Sequence, residues 1–170
     1  YFADPRSTLC KLVLRDESPY YINESVFDNI MFYPQNFSFI SEKDGYSHLY
    51  WYSMGGNLVK QVTTGEFEVK RFIGWDAATN TFYFESNEES PLRTAVYKTD
   101  KKGGRIKLSE KAGTNSAIFS SNLKYFMNTY SSLQTPTVIT LNDNTGKVLK
   151  TLVTNQKLKE TLAQYQLPKK

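Results

Sequence analysis

Residues 37–69, FSFISEKDGYSHLYWYSMGGNLVKQVTTGEFEV, hold three short runs of β-forming residues joined by two tight turns, with no room for a helix between them. Side chains alternate across a strand, so Phe37, Phe39 and Ser41 fall on one face and Ser38, Ile40 and Glu42 on the other. Asp44-Gly45 is a hairpin turn, because both central positions of a two-residue turn favour positive φ, which Gly supplies and Asp tolerates. The aromatic run from Tyr46 to Tyr52 suits a half-buried pleat. Gly55-Gly56-Asn57 turns the chain again, Leu58 to Thr63 runs back, and Thr64-Gly65 ends the series. Strands joined this closely pair antiparallel.

The pattern recurs. Phe82 to Ser86, Leu92 to Thr99 and Arg105 to Leu108 repeat the order of strand, turn, strand, Gly turn, strand, and Tyr125 to Thr129, Thr135 to Asn142 and Lys147 to Leu152 repeat it again. Between the ends of the first strands, Ser41 to Ser86 is 45 residues and Ser86 to Thr129 is 43. Four-stranded repeats of roughly 40 to 50 residues are the mark of β-propeller blades. Each copy has a further strand ahead of its meander, at Phe27 to Tyr33, Glu68 to Trp75 and Thr114 to Ser120, which would be the innermost. A β-sandwich containing three hairpins is the alternative on pattern alone. The expected blades are residues 27–64, 65–110 and 114–153. Residues 1–26 would be a remnant of a preceding blade, with strands at Thr8 to Arg15 and Pro19 to Asn23. Thr154 or Asn155 can cap a short helix over 155–165, with Leu158, Leu162 and Tyr165 on one packing face. The fold class is thus all-β, with about three antiparallel four-stranded blades in an open arc and one short C-terminal helix.

Ser41-Glu42-Lys43-Asp44-Gly45-Tyr46-Ser47-His48-Leu49-Tyr50, then Gly56 to Leu58, then Gln61-Val62-Thr63-Thr64-Gly65-Glu66-Phe67-Glu68-Val69, resembles a propeller blade of the dipeptidyl peptidase IV family. That family reads Ser-Glu-x-Asp-Gly-Tyr-x-His-Leu-Tyr, a Gly turn, then Leu-Thr-x-Gly-x-Trp-x-Val; here Val62 and Phe67 replace the Leu and the Trp. The likeness continues through Tyr83 to Glu88 and on to Gln166-Leu167-Pro168, and thins before residue 27. It implies the last blades of an eight-bladed propeller. In the family an α/β-hydrolase domain with a Ser-Asp-His triad follows and removes Xaa-Pro or Xaa-Ala dipeptides from peptide N-termini. It also implies export to the cell envelope or periplasm, which nothing in these residues displays directly.

Composition agrees with a packed β-domain: 170 residues, 39% hydrophobic and 15% aromatic. No apolar run of 18 residues spans a membrane, and Tyr1 to Arg6 lacks the basic-then-apolar order of a signal peptide. The net charge of +4 hides an asymmetry: residues 1–90 carry 7 Lys and Arg against 13 Asp and Glu, and residues 91–170 carry 14 against 4. Lys101-Lys102 in a Gly turn and Lys169-Lys170 at the terminus are better read as solvated charges than as a nucleic-acid face. Cys10 is alone, so no internal disulfide forms, and its apolar neighbours suggest a buried, inert thiol.

Catalytic chemistry is hard to assemble. His48 is the only histidine, no Gly-x-Ser-x-Gly elbow exists, and no second His or Cys completes a zinc set. We expect His48 to be structural, and expect no catalytic residue, metal or cofactor. Glu88-Glu89 is a tempting pair for a peptide's terminal ammonium, as a Glu pair serves in the resembled family, but that pair belongs to an earlier blade. Ser86 to Pro91 matches a solvated hairpin turn instead. Asp143 only faintly resembles a calcium loop. Residues contacting substrate are not assignable. The reading is therefore a non-catalytic propeller segment of a serine peptidase, walling and gating access to a hydrolase domain absent from this chain. Its partners would be that domain, peptide substrate, and a further copy of itself through exposed sheet edges. The alternative is a free-standing interaction module binding peptide or glycan.

Overall fold

The computed structural model describes residues 1–23, 27 and 29–165. The chain divides into two compact units, residues 1–69 and 70–170. In chain order the strands are β1 (Phe2–Ala3), β2 (Cys10–Lys11), β3 (Met31–Phe32), β4 (Asn36–Ser41), β5 (His48–Ser53), β6 (Leu58–Gln61), β7 (Val69–Asp76) and β8 (Thr81–Ser86). They continue with β9 (Ala95–Thr99), β10 (Arg105–Lys107), β11 (Thr114–Phe119), β12 (Tyr125–Ser132), β13 (Thr135–Asp143) and β14 (Val148–Val153), and α1 (Gln156–Leu162) follows. They build three four-stranded sheets in sequence order, β3-β4-β5-β6, β7-β8-β9-β10 and β11-β12-β13-β14, with every registered neighbour antiparallel. These are the meanders that the turn chemistry requires.

The repeat is written in hydrogen bonds as well as in strand order. At the far hairpin of each sheet one side chain caps the turn. Ser53 Oγ accepts the Asn57 N–H at 3.2 Å, Asp100 Oδ1 accepts the Gly104 N–H at 2.7 Å, and Asp143 Oδ1 accepts the Lys147 N–H at 3.1 Å. In each turn a glycine, Gly56, Gly103 or Gly146, has positive φ and donates its N–H back to the capping residue's carbonyl. A second clasp closes the outer strand of the first two sheets. Val62 N–H bonds the Leu49 carbonyl while Leu49 N–H bonds Thr63 Oγ1 at 3.0 Å; Leu108 N–H bonds the Val96 carbonyl while Val96 N–H bonds Ser109 Oγ at 3.0 Å.

Aromatic residues form the layers. Phe37 faces Tyr52 and Phe84 faces Tyr97 in register, and each pair is stacked at an interplanar angle of 15°. Such cross-strand ring pairs add about 0.5–1.5 kcal/mol beyond area burial. Within the second unit, Tyr83, Val96 and Leu108 of one sheet pack on Ala117 and Phe126 of the next, with Ile73, Phe119 and Leu123 at the margin.

Several expectations are corrected. The strand expected over Thr8 to Arg15 is only Cys10–Lys11, and Pro19 to Asn23 is not a strand. Cys10 is exposed, as are Leu9 and Leu12. The β1–β2 ribbon pairs two residues with two and seats its inner side, through Phe2, on Phe32 and Phe37, so the sulfur faces away from any second layer. The strand expected over Phe27 to Tyr33 reduces to Met31–Phe32, and Asp28 within it lies outside the described residues. The helix is shorter than expected and buries no residue. Asn155 takes a left-handed conformation and its side chain makes no cap bond; its Nδ2 donates to the Thr137 carbonyl at 2.7 Å. Leu158 and Tyr165 are exposed and Leu162 is half-buried, so most of the apolar stripe is left uncovered by the described residues. Gln166-Leu167-Pro168 also lies outside them.

Two turn glycines separate backbone strain from steric conflict. Gly45 has φ +97° with nothing within 4 Å of an added Cβ, whereas at Gly56, φ +88°, a Cβ would lie 1.9 Å from the Val13 carbonyl oxygen. Gly45→Ala should cost about 1–2 kcal/mol from its left-handed backbone alone. Gly56→Ala should cost clearly more, because the segment carrying Val13 must move. Urea unfolding of the two variants measures the difference.

Candidate functional site

His48 lies in β5 and is 1% exposed. Its Nε2 is 2.9 Å from the Gly65 carbonyl, which can only accept, so Nε2 carries the proton. Its Nδ1, 3.1 Å from Thr63 Oγ1, accepts that hydroxyl's hydrogen, and the same oxygen accepts the Leu49 N–H. Phe67 packs edge-to-face on the ring at 5.1 Å. Both nitrogens are engaged within the first sheet, and the one hydroxyl beside the ring closes the outer-strand clasp. The imidazole extends that clasp. In the second sheet the residue before Val96 is Ala95, and the clasp there stops at Ser109.

Glu88 and Glu89 do not converge on an open space. Arg105 binds Glu88 in a fork, with Nη2 2.7 Å and Nε 3.0 Å from Oε1, and Lys107 Nζ sits 2.6 Å from Glu89 Oε1. Each carboxylate thus has a cation from β10. The nearby Tyr97 phenol is held well above its ordinary pKa, first by burial and then by the charges of Glu89 and Glu88. Asp143 is the cap of its turn: its Oδ1 accepts from the Thr145 hydroxyl and from the Thr145 and Lys147 N–H groups. Those bonds, the Thr145 hydroxyl foremost, lower its pKa below the usual carboxylate value. Among the described residues, no three His, Cys, Asp or Glu side chains stand together in a way that could hold a metal ion.

The most concentrated polar constellation is one that sequence reading missed. Glu85, in β8, turns its carboxylate into the seam between the second and third sheets, where its side chain is only 7% exposed. Oε1 accepts the Ala117 N–H at 2.7 Å, the Ser116 hydroxyl at 3.1 Å and Arg71 Nη2 at 2.6 Å; Oε2 accepts Arg71 Nε at 3.3 Å. Arg71 Nη2 also reaches the Ala117 carbonyl at 2.6 Å. One carboxylate and one guanidinium therefore tie β7 and β8 to the backbone of β11. Removing a carboxylate from water costs several kcal/mol, which charge-assisted bonds of this number offset. Glu85 lies 32 residues from Ala117 with no local motif to announce the pairing; its position in an otherwise aromatic strand is the one available signal.

Removing Arg71 leaves a buried carboxylate without its counter-ion. Arg71→Ala should destabilise the second unit by about 2–4 kcal/mol, discounted because the guanidinium side chain is 43% exposed. The double variant Arg71→Ala/Glu85→Gln should recover part of that loss, as read from denaturant unfolding.

Comparison with known proteins places this arrangement. The chain is 31% identical over 134 residues to a probable dipeptidyl peptidase 4 of Trichophyton verrucosum, covering 76% of this chain and 18% of that protein. It is 30% identical over 134 residues to the dipeptidyl peptidase 4 of Trichophyton rubrum, covering 76% and 17%. The crystal structure of Porphyromonas gingivalis dipeptidyl peptidase 4 matches 98% of this chain and 24% of that one, with TM-score 0.92 and 40% identity. The chain thus spans between about a sixth and a quarter of the length of these relatives. Residues 1–137 match the family described as dipeptidyl peptidase IV (DPP IV) N-terminal region. With that match over most of its length, and with four-stranded blades in the same order as a solved member, the chain belongs to the dipeptidyl peptidase IV N-terminal region family.

Proposed function

We propose that this chain is a non-catalytic propeller segment of a dipeptidyl-peptidase-IV-like serine peptidase, and that its blades wall and gate peptide access to a hydrolase domain outside this chain. The observation that carries the reading is the fate of its polar groups. His48, Glu88, Glu89 and Glu85 are each held by partners within the fold. That suits a wall better than a reaction centre. Gating in this reading is mechanical: sheets locked face to face keep an opening at fixed width, so admission depends on the size and folding of the peptide. Exposed residues on the outer face of the third sheet, Ile118 and Met127, would meet another sheet, from the parent protein or from a second copy when the chain is alone.

The experiment uses the chain alone and the parent protein that contains the hydrolase domain. Alone, the chain should release nothing from Xaa-Pro chromogenic substrates, and light scattering should give a dimer or larger assembly. In the parent, Arg71→Ala should leave kcat on a chromogenic dipeptide within about twofold. It should raise the rate on long peptides relative to short ones. Activity of the chain alone, or loss of short-substrate kcat with unchanged peptide-length selection, would overturn the reading.

A further inference from the structure

The seam between the second and third sheets is built differently on its two sides. Toward β7 and β11 it is packed and charged: an apolar core joins Tyr83, Val96 and Leu108 to Ala117 and Phe126, and Glu85 and Arg71 hold the Ala117 backbone. No residue of β13 or β14 belongs to that core. Where the β13–β14 hairpin faces the end of β10 the seam is hollow, with about 460 Å³ between residues 107–110 and residues 145–148. A further 410 Å³ lies between Glu110, Lys111 and the face of β13 and β14 that carries Thr140, Asn142 and Thr151. Surfaces that face each other across a gap bury little area, so this outer side has almost nothing apolar to hold it shut.

Two contacts span the outer side. Lys98 Nζ, from β9, donates to the Asn144 carbonyl in the β13–β14 turn at 2.7 Å, and the Asn144 N–H is tied in turn to the Lys124 carbonyl at 3.0 Å. Beside it Gly146, φ +93°, lies so close that an added Cβ would be 2.7 Å from the Leu108 carbonyl oxygen. The first unit repeats this second contact with Gly56 against the Val13 carbonyl, so a hairpin glycine seated on a backbone carbonyl is part of the repeat. The ammonium of Lys98 is half-buried and makes one bond, whereas Glu85 is nearly sealed and makes several. We propose that the β13–β14 hairpin is a latch: the Lys98 ammonium holds the outer strands shut, and its loss lets them part about the Glu85–Arg71 side as a hinge. Each sheet stays whole as they part, because the Asp143 turn cap and the Ser109 clasp both lie within a single sheet. The proposal concerns the seam alone and does not depend on the peptidase reading.

Distances between paired spin labels, measured by electron resonance on the full chain with the exposed Cys10 replaced by Ser, test it. An outer pair at Lys102→Cys and Lys147→Cys joins the β9–β10 and β13–β14 turns, and an inner pair at Ala78→Cys and Ser121→Cys joins the β7–β8 and β11–β12 turns; all four positions are exposed. Lys98→Met should give the outer pair a population about 5 Å longer, half the usual spacing of about 10 Å between packed sheets, and leave the inner pair unchanged. Gly146→Ala, which pushes the hairpin off Leu108 with Lys98 in place, should lengthen the same pair, and decides alone if the Lys98 variant does not fold. An outer pair that Lys98→Met leaves in place, or inner and outer pairs that lengthen together, would overturn the proposal.

Discussion

Burial of the Glu85 carboxylate between the second and third sheets is the constraint from which the second unit takes its form. An aromatic face alone tolerates sliding, because ring contacts across the two sheets, such as Tyr83 on Phe119 at 5.0 Å, are roughly isotropic along the strand. A carboxylate is not tolerant. Misplaced by one residue, Oε1 would lose the Ala117 N–H and the Ser116 hydroxyl together and leave a charge buried without its bonds. The hydrophobic layer supplies most of the driving force for the two sheets to meet, and the Glu85–Arg71 pair selects the one register in which they do.

The same division of labour runs through each sheet. Hairpins are closed by Ser53, Asp100 and Asp143, a hydroxyl in the first sheet and carboxylates in the other two performing one task. Outer strands are clasped by Thr63 and Ser109. Repeat proteins keep geometry longer than they keep residues, since a hydroxyl and a carboxylate can both accept from a turn N–H. This explains why His48 is found in one sheet only: it elaborates a clasp that works without it elsewhere.

Strand order and most strand positions were legible in the sequence because hairpin chemistry is local. Asp44-Gly45 marks its turn, and Gly45 does carry φ +97°. What depends on distant partners was not legible. Cys10 sits among Leu and Val, yet a two-residue ribbon offers no layer to bury it, and apolar neighbours alone could not reveal that. The helix stripe of Leu158, Leu162 and Tyr165 has helical spacing, but spacing says that a face is apolar and not that anything covers it. Glu85 was invisible for the converse reason: its partners are supplied by β7 and by a strand 32 residues later. Glu88-Glu89 was read as a hairpin turn from its Ser, Asn and Pro neighbours, while the cations that hold it came from β10, out of sight of any local window.

A scaffold whose His48, Glu85, Glu88 and Glu89 side chains are turned to holding its own strands can give a cavity fixed walls, and that is the physical content of the functional proposal. The direct measurement of it is native-state hydrogen exchange across β7 to β14. If the seam couples the sheets, core amides of β8 and β12 exchange with one shared opening free energy and move together when salt or mild urea is varied. Opening of β11 to β14 at a much lower free energy, with β7 to β10 still protected, would contradict the account.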